Sequence, residues 1–332
     1  MAGRRTNIAL LLMLPAAVIS GAATFLVGGV SVRLVVVVHG LAGLSLVVLA
    51  PAKSRIARRG LRRRRPGWSR SVILAAAVVI ALASGVAHST GLLVSAGAVT
   101  AIQVHVGAGL VAGLMVLLHV RDRPTRPRTA DLSRRSLLRA ALLTAGAGAW
   151  YGGLAATTSA LSLPGARRRA TGSYELASAE PDRMPVTSWL FDAAPEVDPD
   201  GWRLTVASAG TQRRWSVDQI RSMGDRATVV LDCTGGWWSR QEWSGARLSR
   251  LLPAGATGSV VVVSRTGYHR RLPLTDDLLL AVDVGGSPLS VGHGAPARLV
   301  VPGRRGYHWV KWVDRIEHDS LPWWVQLPLP AR

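Results

Sequence analysis

Long apolar runs constrain the fold of this chain more than any other feature of its sequence. Five of them lie within the first 165 of its 332 residues, at 8–29, 34–52, 71–94, 96–118 and 137–163. The first four contain no Lys, Arg, Asp or Glu, and the fifth is interrupted only by Arg139. Because a helix needs about 20 apolar residues to cross the hydrocarbon core of a bilayer, the sequence predicts an all-α membrane bundle of about five spans.

The distribution of charge predicts how these spans are oriented. Residues 53–70 carry nine Lys or Arg and no acid, and residues 121–139 carry seven Arg against two Asp. Loops rich in Lys and Arg stay in the cytoplasm, which places the N-terminus inside and everything after the fifth span outside. The formal net charge of +21 is therefore explained mostly by membrane topology, and no nucleic-acid partner is expected. Arg167, Arg168 and Arg169 depart from this rule, since they follow the fifth span on its outer side.

Two of the four histidines in the membrane part, His39 and His105, lie in segments that repeat each other. Residues 38–44 (VHGLAGL) and 104–110 (VHVGAGL) read as two copies of one pattern, so spans one and two are interpreted as repeated in spans three and four. Two facing histidines beside small residues are how a helix bundle holds a b-type haem, which makes His39 and His105 candidate ligands of haem iron. The alternative is hydrogen bonding between helices, and for His88 and His119 this alternative is favoured.

The second half of the chain has a different pattern. Residues 166–184 are basic and then rich in Ser, Ala and Pro, which is typical of a linker. From Trp202 onward, short β-branched runs alternate with Gly and Pro. We therefore predict a membrane domain over 1–165, a linker over 166–184 and one α+β domain over 185–332, which is long enough to bury a core.

Cys233 is the only cysteine, and it follows a β-branched run in the sequence Leu-Asp-Cys-Thr-Gly-Gly. A sole cysteine cannot close a disulfide within the chain, so it is either a buried inert thiol or a reactive thiolate. The glycines that follow allow a bulky group to approach the backbone, and a thiolate is a soft ligand suited to a metal. These neighbours favour a metal site. Asp232 is a candidate proton carrier beside it or, alternatively, caps a turn.

Further motifs surround Cys233 and recur nearer the C-terminus. Residues 231–252 contain Cys-x-Gly-Gly-Trp and Trp-Ser-Gly-x-x-Leu, and residues 286–317 contain His-Gly-x-Pro-x-Arg-Leu-Val-Val-Pro and Gly-x-x-x-Val-Lys-Trp. In order and spacing they resemble the molybdopterin-binding domain of the sulfite oxidase family. The resemblance implies an α+β fold and a pterin-bound molybdenum with Cys233 as its one protein ligand. The other cofactor-binding residues that it implies are Thr234, His293, Arg298, Gly306 and Lys311.

The same resemblance implies that metal-facing residues lie in the loop after the run 260–264. Arg265 and His269 are candidate catalytic residues there, because a cation beside the metal would attract an anionic oxo-substrate such as sulfite. The alternative is a solvated loop.

Ser133-Arg134-Arg135-Ser136-Leu137-Leu138-Arg139 resembles a twin-arginine export signal placed before the fifth span. A molybdopterin protein must fold around its cofactor in the cytoplasm, and this route exports folded domains. The signal would also account for positive charge outside the membrane. The alternative is a basic stop at the membrane edge.

Together these features predict a membrane-anchored, molybdopterin-dependent oxidoreductase that transfers an oxygen atom outside the cytoplasmic membrane. The reaction would be reduction of an S- or N-oxide or oxidation of sulfite. Electrons would pass through the membrane domain, with or without b-type haem, to or from a quinone or cytochrome. The alternative is a non-enzymatic membrane protein with a degenerate sulfite-oxidase-like binding module, and the intact Cys233 argues against it.

Overall fold

The chain forms two compact units in a computed structural model. The structure describes residues 2–26, 28, 32–62, 68–97, 99–122, 128–131, 133–189 and 192–330. One unit comprises Met1–Phe25 and Val30–Gly172, and the other comprises Leu26–Gly29 and Ser173–Arg332. The division at Gly172 falls inside the predicted linker, 166–184.

The N-terminal unit is almost entirely helical, as its apolar runs predict. Its helices are α1 (Ala2–Leu26), α2 (Val32–Arg62), α3 (Trp68–Thr90), α4 (Ala101–Asp122) and α5 (Arg134–Ala160). A two-stranded hairpin of β1 (Ser95–Ala96) and β2 (Val99–Thr100) precedes α4, and short 3₁₀ helices occupy Thr129–Asp131 and Pro164–Arg167.

Four helices of the described chain are long and apolar enough to cross a membrane: Gly3–Leu26, Val32–Arg58, Trp68–Thr90 and Ala101–Asp122. The fifth predicted span is also a helix, but its first turns carry Arg134, Arg135 and Arg139, which lower its apolar character. The fifth crossing therefore stays a prediction. Of the two basic loops, residues 63–67, 123–127 and 132 lie outside the described part of the chain, as do 27 and 29 of the first predicted span.

The predicted repeat of helix pairs is visible in their contacts. The Nδ1 atom of His39 on α2 lies 2.9 Å from the carbonyl oxygen of Ala17 on α1, and that of His105 on α4 lies 2.7 Å from the carbonyl oxygen of Ala81 on α3. In both pairs a glycine follows the accepting residue by four positions, and its Cα faces the histidine ring. We call these contacts the histidine layer.

A second layer repeats in the same way. Lys53 on α2 donates to Asn7 Oδ1 on α1 at 3.1 Å, and His119 Nδ1 on α4 lies 3.3 Å from Ser71 Oγ on α3. Lys53 and His119 each follow the histidine of the first layer by fourteen positions. The two layers therefore share one internal symmetry, although the side chains differ in the second.

The C-terminal unit contains two mixed sheets. Its strands are β3 (Tyr174–Glu175), β4 (Leu204–Ser208), β5 (Thr211–Trp215), β6 (Asp225–Asp232), β7 (Trp237–Arg247), β8 (Ser259–Ser264), β9 (His269–Pro273), β10 (Leu279–Val284), β11 (Ser287–Pro288), β12 (Arg298–Val300) and β13 (Val313–Asp319). Its short helices are α6 (Val217–Ser222) and α7 (Leu248–Leu251), with 3₁₀ helices at Pro181–Arg183, Val291–His293 and Gly306–His308.

One sheet has the order β11-β10-β7-β3, with β12 paired to β10 and β6 to β7, and the other has the order β5-β4-β13-β8-β9. Most pairs are antiparallel, while β3–β7 and β4–β13 are parallel. Strand β7 alternates buried and more exposed positions, and every residue of β10 is buried. Apolar helices followed by an α+β domain were predicted from the sequence, and this order is confirmed. The β6–β7 hairpin ends in the loop that carries Cys233.

Candidate active site

Cys233 occupies the tip of the β6–β7 hairpin, directly after the last paired residue of β6. Its N–H donates to the Trp237 carbonyl at 2.8 Å, and its carbonyl accepts from Gly236 at 3.3 Å. Gly236 has a φ of 90°, a left-handed conformation that favours glycine and lets the chain turn back into β7. The Gly235 N–H lies 3.3 Å from Cys233 Sγ. The Thr-Gly-Gly sequence therefore creates a tight loop in which a backbone donor already faces the sulfur.

The sulfur lies in a cleft. The cleft is lined by Pro185, Thr187, Ser188, Trp189, Asp192, Leu231, Cys233, Thr234, Trp237, Tyr268, His293, Arg298, Gly306, Tyr307, Trp309 and Lys311. Six of the residues predicted to bind the molybdenum cofactor are thus brought together from the β6–β7 loop and the stretch 293–311, namely Cys233, Thr234, His293, Arg298, Gly306 and Lys311. Their individual roles stay predictions.

Arg298 is the most deeply buried cation of the cleft, with 2 % of its surface exposed. Its guanidinium lies 5.1 Å from the ring centroid of Trp243 and 5.6 Å from that of Trp309, and its Nη1 donates to the His293 carbonyl at 3.0 Å. Its buried Nε has no hydrogen-bond partner among the described residues. Burial lowers the pKa of Arg298 to about 10, so the group is still a cation at neutral pH. A buried guanidinium with a donor left over suits an anionic group such as a phosphate.

Lys311 supplies a second cation whose charge responds to its surroundings. Its Nζ donates to the Gly292 carbonyl at 2.6 Å and lies 5.4 Å from the Trp312 ring centroid. Burial, followed by repulsion from Arg298, lowers the pKa of Lys311 to about 7. An anion bound in the cleft would raise that pKa and hold the lysine in its charged form.

His293 is held in place by two hydrogen bonds. Its Nδ1 lies 2.8 Å from Ser290 Oγ, and its Nε2 lies 3.1 Å from the Met184 carbonyl. Burial, and then the nearby Arg298, lowers the pKa of the imidazole. Since both ring nitrogens already have partners within the protein, His293 shapes the wall of the cleft and fixes the carbonyl that accepts from Arg298.

Gly306 allows two segments to approach closely. A Cβ atom at this position would lie 3.2 Å from Cys233 Cα and 3.4 Å from the Asp232 carbonyl oxygen. Any larger residue would push against the backbone that carries the thiol. The predicted importance of this glycine therefore has a steric basis.

Arg265 and His269 are not brought to the cleft. Arg265 is exposed and lies 3.3 Å from the Asp314 carboxylate, while the exposed His269 ring contacts the Gly267 carbonyl at 3.1 Å. Between them, Tyr268 is buried, lines the cleft and donates its hydroxyl to the Tyr307 carbonyl. Arg265 lies in the turn after β8, and Tyr268 ends this turn directly before β9, where its side chain is the one that turns inward. The expectation that Arg265 and His269 face the metal therefore lacks support from this geometry.

Several lining residues have no counterpart in the sequence-based prediction, and Trp189, Asp192 and Tyr307 are among them. Trp189 packs edge-on against Tyr268, with ring centroids 6.4 Å apart. Asp192 is the one carboxylate among the described lining residues. Trp189 and Asp192 belong to an irregular segment without a recognisable motif, so only the folded chain places them beside Cys233.

Comparison with known proteins agrees with the motifs. Residues 192–322 match the family described as oxidoreductase molybdopterin binding domain. Mitochondrial sulfite oxidase of Rattus norvegicus is 30% identical over 166 residues, and that of Homo sapiens is 30% identical over 162 residues. These alignments cover 38% and 37% of this chain, respectively, and 30% of each relative. The chain thus spans about 30% of the length of these relatives.

A solved structure, the sulfane dehydrogenase SoxCD from Paracoccus pantotrophus, is 25% identical to this chain. The match covers 39% of this chain and 40% of that one, with a TM-score of 0.36. The family match covers the lining residues from Asp192 to Lys311. Residues 192–322 are therefore similar to the molybdopterin-binding domain of oxidoreductases, and the chain is also similar to mitochondrial sulfite oxidases.

Proposed function

We propose that this protein is a membrane-anchored molybdenum oxidoreductase that transfers an oxygen atom between the metal centre and a small oxo-substrate. The observation that carries the proposal is the position of the only cysteine in a cleft that also contains the buried Arg298 and the half-buried Lys311. In the reductive direction the S–O or N–O bond of the substrate breaks, two electrons and two protons are consumed, and the oxygen leaves as water. In the oxidative direction sulfite gains an oxygen atom from water, and two electrons and two protons are released.

The residues present fit a molybdenum–pterin group. Burial raises the pKa of the Cys233 thiol, although the Gly235 N–H, Thr187, Arg305 and Lys311 oppose this shift. The thiol is therefore protonated at neutral pH until a metal cation displaces its proton. When bound, molybdenum would supply the two-electron chemistry. Cys233 would hold the metal, Arg298 and Lys311 would bind the anionic part of the pterin group, and Tyr268 and Trp189 would shield the cleft from water.

An activity screen on the full-length protein tests this function. The protein would be produced in a host that makes molybdopterin, then assayed with reduced viologen and a panel of S- and N-oxides, and with ferricyanide and sulfite. We expect molybdenum near one atom per chain and turnover in one of the two directions. A protein that takes up neither molybdenum nor pterin would instead support the alternative, an empty binding module.

We also propose that electrons reach the metal centre through the N-terminal unit, by way of a b-type haem held by His39 and His105. The two imidazole rings meet edge to face, with their centroids 5.7 Å apart and an angle of 87° between their planes. Because a carbonyl oxygen only accepts, each Nδ1 must carry the proton that it shares with its partner carbonyl, Ala17 or Ala81. The lone pair of each ring is then on Nε2, which makes no hydrogen bond within the described chain.

Glycines next to these rings support the same proposal. A Cβ atom at Gly21 would lie 3.0 Å from the His39 ring, and one at Gly85 would lie 2.8 Å from the His105 ring. Hydrogen bonding of one ring nitrogen to a carbonyl is the usual way in which proteins orient a metal-binding imidazole. A quinone or a cytochrome would exchange electrons with this haem.

For the C-terminal domain we propose a location outside the cytoplasmic membrane, reached by twin-arginine export. Ser133 caps α5 through its side chain, so Arg134 and Arg135 form the first turn of the helix. Replacement of both arginines by lysine should block export and leave the C-terminal domain in the cytoplasm. The fraction of this domain that a protease reaches in intact cells should then fall to near zero. Unchanged delivery of the domain would exclude this route and favour a simple basic stop.

A further inference from the structure

Three buried polar residues meet behind Cys233, on the side away from the residues that line the cleft. Asp232, the last residue of β6, forms an ion pair with Arg305, and neither side chain is more than 9 % exposed. The fully buried Ser173 donates to Asp232 Oδ1 at 2.7 Å and lies 3.3 Å from the Cys233 carbonyl. Arg305 also donates to Ser173 Oγ at 3.4 Å. Asp232 is thus engaged with Arg305 and Ser173, which argues against the role of proton carrier in the cleft.

The backbones of the same segments enclose the cysteine loop. Asp232 and Arg305 form a parallel β-bridge, which places Gly306 against Cys233 Cα. On the other side, the Tyr174 N–H donates to the Gly236 carbonyl at 2.9 Å. The loop 233–236 contains two consecutive glycines and little rigidity of its own. Its shape is therefore imposed by segments 173–174 and 305–306.

We infer that Ser173, Asp232 and Arg305 are positioning residues that fix the cysteine loop and thereby the direction in which Cys233 Sγ presents itself to molybdenum. The inference rests on the proposed function in taking Cys233 as the ligand. A buried ion pair recovers little net stability, because the desolvation of both charges offsets their attraction. A buried ion pair does, however, fix the positions of its two residues relative to each other. Here those residues are Asp232 and Arg305, which support the loop that carries Cys233.

Alkylation of the sole thiol gives a direct readout. In full-length protein made without cofactor, iodoacetamide reacts only with Cys233, which is 7 % exposed. Because Arg305 favours the thiolate, rates are measured over a range of pH and compared per thiolate. We expect Asp232→Asn and Arg305→Met each to speed this corrected alkylation at least tenfold, because the loop loses one of its supports. In cofactor-loaded protein the same variants should shift the Mo(V) electron paramagnetic resonance spectrum.

A double variant separates positioning from general stability. Asp232→Leu combined with Arg305→Leu removes both charges and leaves apolar side chains in a buried site, so its thermal midpoint should return close to that of the wild type. We expect its fast alkylation and altered spectrum to persist. A wild-type alkylation rate and spectrum in the double variant would overturn the inference and leave the pair a purely structural one.

A matched control is available in the same unit. Arg271 and Asp319 also form an ion pair, with a distance of 2.5 Å, but on the other sheet. Asp319→Asn should leave both the alkylation rate and the spectrum unchanged, and a change as large as that of Asp232→Asn would also contradict the inference. The alkylation comparison needs no metal, so it tests the positioning of the loop by itself. The proposed function is tested separately, since a wild-type protein that takes up no molybdenum would refute it.

Discussion

Cys233→Ser is expected to lower both molybdenum content and turnover of the full-length protein by at least about a hundredfold. A serine hydroxyl is a hard group that stays protonated at neutral pH, so it cannot replace a thiolate that carries the metal. The nearly isosteric change leaves the hydrogen bonds of the loop backbone, Cys233 N–H to Trp237 and Gly236 N–H to Cys233, in place. Metal analysis and the activity screen on the same preparation measure the effect.

Ser208→Ala is a suitable control for that experiment. Ser208 is a buried residue of β4 whose hydroxyl lies 3.0 Å from His318 Nδ1, and it belongs to the other sheet. Its removal should leave molybdenum content unchanged. Wild-type metal content in Cys233→Ser would show that the cysteine is not the ligand and would return it to the class of inert buried thiols.

His39→Ala and His105→Ala are each expected to abolish the haem band in a reduced-minus-oxidised spectrum of the purified protein. Either change removes one of two axial ligands, and the remaining imidazole holds a b-type haem too weakly to survive purification. Molybdenum content should be unaffected in both variants, since the histidines belong to the other unit. Turnover with an artificial electron donor should also persist.

His119→Ala provides the comparison within the same helix. His119 lies on α4 like His105, but its ring contacts Ser71 in the second layer. Its haem band should equal that of the wild type. A haem band that persists in both His39→Ala and His105→Ala would disprove the ligand assignment, and molybdenum without haem in the wild type would move the electron partner to another protein chain.

The lining residues that are proposed to bind the cofactor were predictable because each lies in a short motif of fixed spacing. Cys233, Arg298 and Lys311 are all found in such segments, and all three line one cleft. The loop after β8 was different. There the sequence suggested the correct region. Which residue turns inward, Tyr268 or its candidates Arg265 and His269, depends on the conformation of the turn between β8 and β9, and no short motif specifies that conformation.

Long-range partners explain most of what the sequence did not indicate. Tyr174–Glu175 was assigned to a linker, but it forms β3 because β7, more than 60 residues away, offers a parallel edge. Neither residue carries a local signal for that pairing. The boundaries predicted for the domains stay predictions, whereas the long apolar runs predicted helices correctly because helix formation depends on nearby residues.

The two layers of the N-terminal unit differ in what they present at each depth of the described helices. In the histidine layer both halves carry the same imidazole, the same carbonyl contact and the same glycine. In the second layer one half carries Lys53 with Asn7 and the other carries His119 with Ser71. A ligand that needs two equivalent donors therefore finds them at the depth of the histidine layer, whereas the second layer offers two different side chains.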